Sequence, residues 1–359
     1  MAFEKNFMMA DWVMFEDYCN LRCNYCILSS IKDFKSKIPQ EKIEFYNEYL
    51  RKTARYMQEH DIMIFKVSGG EVLLLPELMP ILKEVNTFAR VQLLTNATLV
   101  NDKHIQIMKE MPNFGVQVSL DGHTYQMNKD RFSSEAGFKK VLNNTRRMLD
   151  ENIPVEINAC ITRDNIENIE DFFKYLMEYA DKELMVYLLP IRGHAGEENM
   201  FTIQKEQFKY IESIINNYDK YRAILPPKEY FTYLLDYLDK GHKPKGWRCW
   251  VTYLIMGLLY EGDLKACPGI PTNNQTVRYN IFNNDGKPFE YNKLYDILNR
   301  KCSTISLCEW CFNHYEDLNL YLNGVIPIEE IQRIWLYKEP RVVKFLKEMR
   351  AYVESTVNT

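Results

Sequence analysis

The sequence predicts an α/β protein: a partial (β/α)6 TIM-like barrel, then a small cysteine-rich α+β domain and a C-terminal helix. Three observations lead there. From about residue 7 to 191, short β-rich runs alternate with amphipathic helical stretches, the pattern of repeated βα units that feed a parallel sheet. There are six such units, where a full barrel has eight. The nine cysteines cluster: three at Cys19, Cys23 and Cys26, five at Cys249, Cys267, Cys302, Cys308 and Cys311, and Cys160 alone between them.

The expected strands are residues 7–15, 62–69, 90–96, 114–122, 154–162 and 184–191. Between them, helices are expected at 40–59, 77–86, 101–111, 135–151 and 166–180, with Asp33, Asn101 and Asn165 as turn or cap residues. Near residue 195 the alternation stops. Helices at 204–218 and 226–240 lead through Lys240-Gly241-His242-Lys243-Pro244-Lys245-Gly246, a break in composition that marks a domain boundary. Segment 250–267 reads as two strands joined by a turn at Glu261-Gly262-Asp263, where glycine supplies a positive φ. A final helix is expected from Pro327 to Val353. The resulting domain plan is a barrel core at 1–195, a helical connector at 196–246, a cysteine-rich domain at 247–326 and a C-terminal helix at 327–359.

Composition removes several classes of function. No run approaches 18 consecutive apolar residues, which argues against a membrane-spanning helix. Forty-five basic against 49 acidic residues leave a net charge of −4, without the basic excess of a nucleic-acid surface. The N-terminus has no apolar run ending in small residues, so no secretion signal is expected. An odd number of cysteines cannot all be bridged, and a reducing, cytoplasmic setting is expected.

Cys19-Asn20-Leu21-Arg22-Cys23-Asn24-Tyr25-Cys26 is a CxxxCxxC run on the loop after the first expected strand. Barrel active sites sit on that C-terminal face. Thiolates are soft ligands for zinc or iron–sulfur clusters, and three of them can hold three irons of a cubane while the fourth stays open. A structural zinc would want a fourth ligand, and no histidine or cysteine follows Cys26 within thirty residues. At the ends of the next three expected strands stand Ser68-Gly69-Gly70-Glu71, Thr95-Asn96 and Ser119-Leu120-Asp121-Gly122. Glycines let backbone approach a ligand closely, and short polar residues on successive strand ends can share one pocket.

Taken in this order, over roughly residues 7–191, these motifs resemble the radical S-adenosylmethionine (SAM) superfamily. The resemblance implies a [4Fe–4S] cluster on Cys19, Cys23 and Cys26 whose open iron is chelated by SAM. It further implies one-electron cleavage of SAM to methionine and a 5′-deoxyadenosyl radical, which takes a hydrogen atom from substrate, the electron coming from a donor such as flavodoxin or ferredoxin. Expected SAM contacts are Ser68, Gly69, Gly70, Glu71, Thr95, Asn96, Ser119 and Asp121. Tyr25 either packs on the adenine or covers the cluster.

The later cysteines read C-x12-G-x4-C from Cys249 to Cys267, followed by the pair Cys308 and Cys311. This resembles the SPASM extension or its shorter form, the twitch domain, and implies one auxiliary [4Fe–4S] cluster on Cys249, Cys267, Cys308 and Cys311. A structural zinc is the rival. Cys302 either replaces one member of the pair or is a buried apolar thiol, the preferred reading, and Cys160 is read as core.

The candidates for catalysis are Asp121, His123 and Arg192; His123 and His194 read first as surface or capping histidines. The expected function is a radical SAM oxidoreductase that dehydrogenates, epimerises or crosslinks a small molecule of the sugar or aminocyclitol kind, or a peptide. A SPASM-type peptide maturase is the alternative, and a non-catalytic iron–sulfur or zinc scaffold the second. Two features lean away from a typical maturase: only eighteen residues precede Cys19, and Ile27 stands where an aromatic often follows the third cysteine. Molybdopterin-type cyclisation is rated low because its C-terminal cysteine spacing is not reproduced.

Overall fold

The computed structural model describes residues 7–26, 34–191, 200–241, 248–265, 280–282 and 311–357. Among the described residues one sheet runs in the order β6-β5-β4-β3-β2-β1-β7-β8. Its first six strands are β1 (Met9–Val13), β2 (Ile64–Ser68), β3 (Arg90–Thr95), β4 (Phe114–Ser119), β5 (Val155–Ile161) and β6 (Leu184–Pro190), and every neighbouring pair among them is parallel. All six expected strands are present, trimmed by up to three residues at an end.

Helices α1 (Gln40–Glu59), α2 (Leu78–Val85), α3 (Asp102–Lys109), α4 (Glu135–Asp150) and α5 (Ile169–Leu176) link consecutive strands, at the places the sequence predicts. Tyr46, Leu50, Thr53 and Met57 recur at helical spacing and bury one face of α1. Asn101 caps α3 by accepting from the His104 N–H at 3.1 Å, and Ser134 caps α4 by accepting from the Gly137 N–H at 3.2 Å. Asn165 is a turn residue, its amide bonded to the Thr162 N–H and the Cys160 carbonyl, each at 2.8 Å. Asp33 lies outside the described residues.

After β6 come α6 (Phe208–Asn216), α7 (Tyr218–Tyr221) and α8 (Lys228–Lys240), which ends on left-handed Gly241. The expected hairpin forms, but its first residues make a helical turn, α9 (Val251–Leu254), before β7 (Ile255–Leu259) and β8 (Leu264–Lys265). Gly262 carries the turn at φ +87°, and a Cβ there would lie 2.4 Å from the Phe282 ring. β7 pairs in parallel with β1, so the hairpin extends the barrel sheet. The final helix expected over 327–353 is broken into α11 (Ile328–Ile331), a 3₁₀ turn at Trp335–Tyr337 and α12 (Pro340–Val357). Pro340 explains the break, since it has no N–H to donate and disfavours helical backbone at Glu339. Before α11 lies α10 (Glu316–Leu322), which the sequence reading did not anticipate.

Alternation along the strands places Trp12, Phe65, Leu93, Val118 and Ile157 in the core under the helices. The opposite residues point into the barrel in three tiers. Counted along each strand, the lowest is Met9, Ile64, Arg90, Gly115, Glu156 and Met185 and the middle is Asp11, Lys66, Gln92, Gln117, Asn158 and Tyr187, while the register staggers them across strands so that Gln117 lies opposite Leu94 and Glu156. The upper tier, at the C-terminal mouth, is Val13, Ser68, Leu94, Ser119, Cys160 and Leu189, and all six are half-buried. From the other end the chain after Cys311 enters the barrel. The Tyr315 hydroxyl donates to Asp11 at 2.7 Å, His314 Nε2 lies 2.6 Å from Lys66 Nζ, and the Tyr187 hydroxyl donates to Asp317 at 2.7 Å. Trp335 lies against Gly115, where a Cβ would come within 2.7 Å of its ring. Among the described residues the barrel is therefore filled from the N-terminal end and only half-covered at the C-terminal one.

Candidate active site

The loop after β1 carries Cys19, Cys23 and Cys26, all half-buried and none in a disulfide. Burial pushes the Cys19 thiol up to about 11 and raises Cys23 as well, so removing water from these sulfurs disfavours the bare thiolates.

On one flank the loop is held by β2 and β3. The N–H groups of Gly70 and Glu71 donate to the carbonyls of Phe15 and Tyr18 at 2.7 and 2.9 Å. A Cβ on Gly70 would fall 2.0 Å from the Tyr18 carbonyl oxygen, and Gly69 sits at φ +150° against Phe15. The close approach these glycines permit is thus to the backbone that leads into the cysteines. Glu71 is buried, and its carboxylate accepts from the N–H groups of Leu73 and Asn96 at 3.1 and 2.7 Å and from the Thr95 hydroxyl at 2.7 Å. Burial nevertheless pushes Glu71 up to about 7, the three hydrogen bonds pulling the other way. Asn96 Nδ2 donates to Asn20 Oδ1 at 2.9 Å, and Asn20 Nδ2 donates to the Thr98 hydroxyl at 2.7 Å, tying the cysteine loop to the end of β3.

On the other flank stands Asp121, buried just past β4. Its two oxygens accept from Arg131 Nη2 and Nε at 2.8 and 2.9 Å, from the Cys160 N–H at 2.8 Å and from the Tyr25 hydroxyl. Burial alone would lower the Arg131 guanidinium, but Asp121, with Tyr25 and Cys23, holds it well above its ordinary value. Asn24 donates to Asp130 through its backbone N–H at 2.8 Å and its side chain at 2.7 Å. Asn128 accepts the Asp121 N–H at 2.9 Å.

The sequence motifs thus converge: Cys19, Cys23, Cys26, Tyr25, Ser68, Gly69, Gly70, Glu71, Thr95, Asn96, Ser119 and Asp121 all lie at one mouth of the barrel. Tyr25 is anchored through its hydroxyl, with its ring edge-on to Phe201 at 5.7 Å and beneath Arg131. Asp121, with four donors on its carboxylate, is an anchor rather than a free base. His123 does not join them; it stacks on Phe172 and Tyr175 of α5, 6.2 and 5.4 Å away, in the outer layer. Cys160, read as core, is half-buried in the upper tier, its thiol pushed up to about 12 by burial and by Asp121. Asn20, Thr98, Asn128 and Arg131 also belong to the site, although no sequence motif marks them. Only spacing could have found Arg131, ten residues past Asp121 in an aperiodic loop.

Arg192, His194, Cys267, Cys302 and Cys308 lie outside the described residues. Cys249 and Cys311 are described and half-buried, and both meet amides of the segment that plugs the barrel. Asn319 Nδ2 donates to Cys249 Sγ at 3.6 Å and Asn313 Nδ2 to Cys311 Sγ at 3.3 Å.

Residues 14–176 match the family model of the Radical SAM superfamily. This segment is a radical SAM domain. Among curated proteins, the chain is 29% identical over 207 residues to GTP 3′,8-cyclase of Clostridium perfringens (strain 13 / Type A), covering 53% of this chain and 60% of that protein. It is 25% identical over 156 residues to the sporulation killing factor maturation protein SkfB of Bacillus subtilis (strain 168), covering 43% and 36%. Both comparisons span less than two thirds of the relative's length. The fold is similar to that of native anSMEcpe with bound AdoMet and Cp18Cys peptide, at TM-score 0.59 and 16% identity over 95% of this chain and 99% of that one.

A radical SAM domain implies SAM and a [4Fe–4S] cluster, and the residues present fit both. Three thiols share one clamped loop, and metal binding would supply the deprotonation that desolvation opposes at Cys19 and Cys23. Among the described residues, no three Cys, His, Asp or Glu side chains converge as ligands of one ion. A cubane instead takes its thiolates on separate irons. No described helix is long and apolar enough to cross a membrane.

Proposed function

We propose that the chain is a radical SAM oxidoreductase that takes a hydrogen atom from a peptide seated in the mouth of the barrel. Cys19, Cys23 and Cys26 would hold the cluster, and the ends of β2, β3 and β4 would border SAM; when bound, the pair supplies a hydrogen-abstracting 5′-deoxyadenosyl radical. The observation that carries this reading is the half-buried upper tier lying directly inside the strand ends that bear the cysteine loop and the three polar motifs. The clamps on both flanks keep that loop fixed while substrate enters, and the filled lower barrel admits it from one side only.

Similarity to a maturation protein, and to a fold that holds a peptide in anSMEcpe, supports a peptide over the sugar or aminocyclitol substrate. Cys249 and Cys311, with Cys267 and Cys308, are proposed to hold an auxiliary [4Fe–4S] cluster that binds substrate or accepts the second electron, the two asparagine amides donating to its sulfurs. The test is anaerobic turnover with SAM, reductant and uniformly deuterated candidate peptides or cyclitols. Deuterium appearing in 5′-deoxyadenosine from peptides alone is the expected result; label from cyclitols alone would overturn the substrate assignment.

A further inference from the structure

The middle tier of the barrel is unevenly satisfied. Asp11 is bonded by Tyr315, Lys66 by His314, Gln92 by Glu156 at 3.0 Å, and Tyr187 by Asp317. On β4 and β5 the pattern fails: Gln117, 2% exposed, has neither its Oε1 nor its Nε2 paired, and Asn158 Oδ1 is also without a partner. Burying an amide group without a hydrogen-bond partner is costly, so these atoms need an explanation. Other free oxygens here adjoin a space that a water could fill. Gln92 and Glu156, which each leave one oxygen unpaired, line a cavity of about 20 Å³ between the lower tier and Ile334, Trp335 and Leu336, room for one water. Gln117 and Asn158 do not line that cavity. Asn158 is half-buried and stands two residues below Cys160 of the open tier, so its neighbourhood faces the mouth.

From this geometry we infer that Gln117, with Asn158 two residues past its register partner Glu156 on β5, is a subsite that reads an uncharged amide group of the substrate. A carboxamide with a free donor and a free acceptor pairs in two parallel hydrogen bonds with another amide. Asp11 is engaged by Tyr315 and Lys66 by His314, and Gln117 lies opposite the Glu156 carboxylate on β5, so the buried site repels an anion and offers no free cation to hold one. A peptide bond or a carboxamide side chain fits; a carboxylate or phosphate does not. The inference rests on the peptide reading above and specifies which part of the peptide the floor of the chamber would touch.

The experiment is saturation-transfer difference NMR on the anaerobically reconstituted protein with SAM, using N-acetylglycine N-methylamide and, separately, myo-inositol as probes. The amide should give a signal with the wild type, and Gln117→Leu should weaken its binding roughly ten- to hundredfold. Asn158→Ala, expected to weaken it less, serves if Gln117→Leu does not fold. Inositol binding that depends on Gln117 would overturn the amide assignment. Amide binding that is absent, or equal in wild type and variants, would overturn the subsite itself, and a lower melting temperature with unchanged binding would make Gln117 structural. The 5′-deoxyadenosine yield of the same wild-type sample keeps the two readings apart: amide binding without SAM cleavage would sink the radical reading and leave the subsite standing.

Discussion

The two flanks of the cysteine loop solve one problem with opposite chemistry. On the β4 side an ion pair does the work: Asp121 and Arg131 are both buried and meet through two parallel bonds, and Tyr25 and the Cys160 N–H fill the remaining acceptor sites. On the β2–β3 side no cation among the described residues faces the buried carboxyl. Glu71 is held by two backbone N–H groups and a hydroxyl, and burial pushes it up to about 7. One flank depends on keeping charge and the other on nearly losing it. Removing a partner should therefore hurt the first flank more, and changing pH should be felt on the second.

The largest expected effect follows Arg131→Met. It strands the Asp121 carboxylate in a buried site and should lower unfolding free energy by roughly 3–5 kcal/mol, read from urea unfolding of the metal-free protein. The double variant Asp121→Asn, Arg131→Met should recover most of that loss, and no recovery would break the ionic account. Next comes Glu71→Ala, which leaves the Leu73 and Asn96 N–H groups without acceptors, at about 1–3 kcal/mol each; Glu71→Gln should cost distinctly less, and equal costs would refute the hydrogen-bonding role.

The pH response comes third. Glu71 rises from 4.5 to about 7 on folding, and Asp317 in the plug from 3.8 to about 7. The folded state holds these protons more tightly than the unfolded one. Their contribution is complete below about pH 4 and is lost as the pH climbs to 7. Unfolding midpoints should fall between pH 5 and 8, and Glu71→Gln should flatten the slope; an unchanged slope would return the pH dependence to other groups. The smallest effect is expected of Asn20→Ala, which removes two amide contacts to Asn96 and Thr98 at a cost of about 1 kcal/mol, with slower cluster reconstitution as the accompanying sign.

The strands and their motifs were legible because apolar runs of the right length alternate with helical ones, and because a barrel displays strand-end residues together. The clamps were not. Tyr25 and Asp121 were both singled out, yet nothing in their spacing says that one hydrogen-bonds the other, and Arg131 and Asn20 occupy loops with no periodicity to read. The C-terminal plug was hidden for a different reason. Glu316, Asp317 and Asn319 look like solvated positions, but all three are buried, and Asp317 and Asn319 are bonded to Tyr187 and to Trp250 and Cys249. Pro340, by contrast, carried a readable break that the expectation of one long final helix overlooked. Cys160 lies within β5 as expected but faces the barrel, because an apolar strand hides which face its residues take until the register is known.

The most direct test of the central claim, that the clamped loop builds the radical centre, is iron and acid-labile sulfide per chain after anaerobic reconstitution, with 5′-deoxyadenosine measured on the same samples. The wild type is compared with a Cys19→Ala, Cys23→Ala, Cys26→Ala variant. The account predicts about eight irons falling to about four, with SAM cleavage abolished. Iron content that does not change, or SAM cleavage that survives the triple substitution, would contradict it.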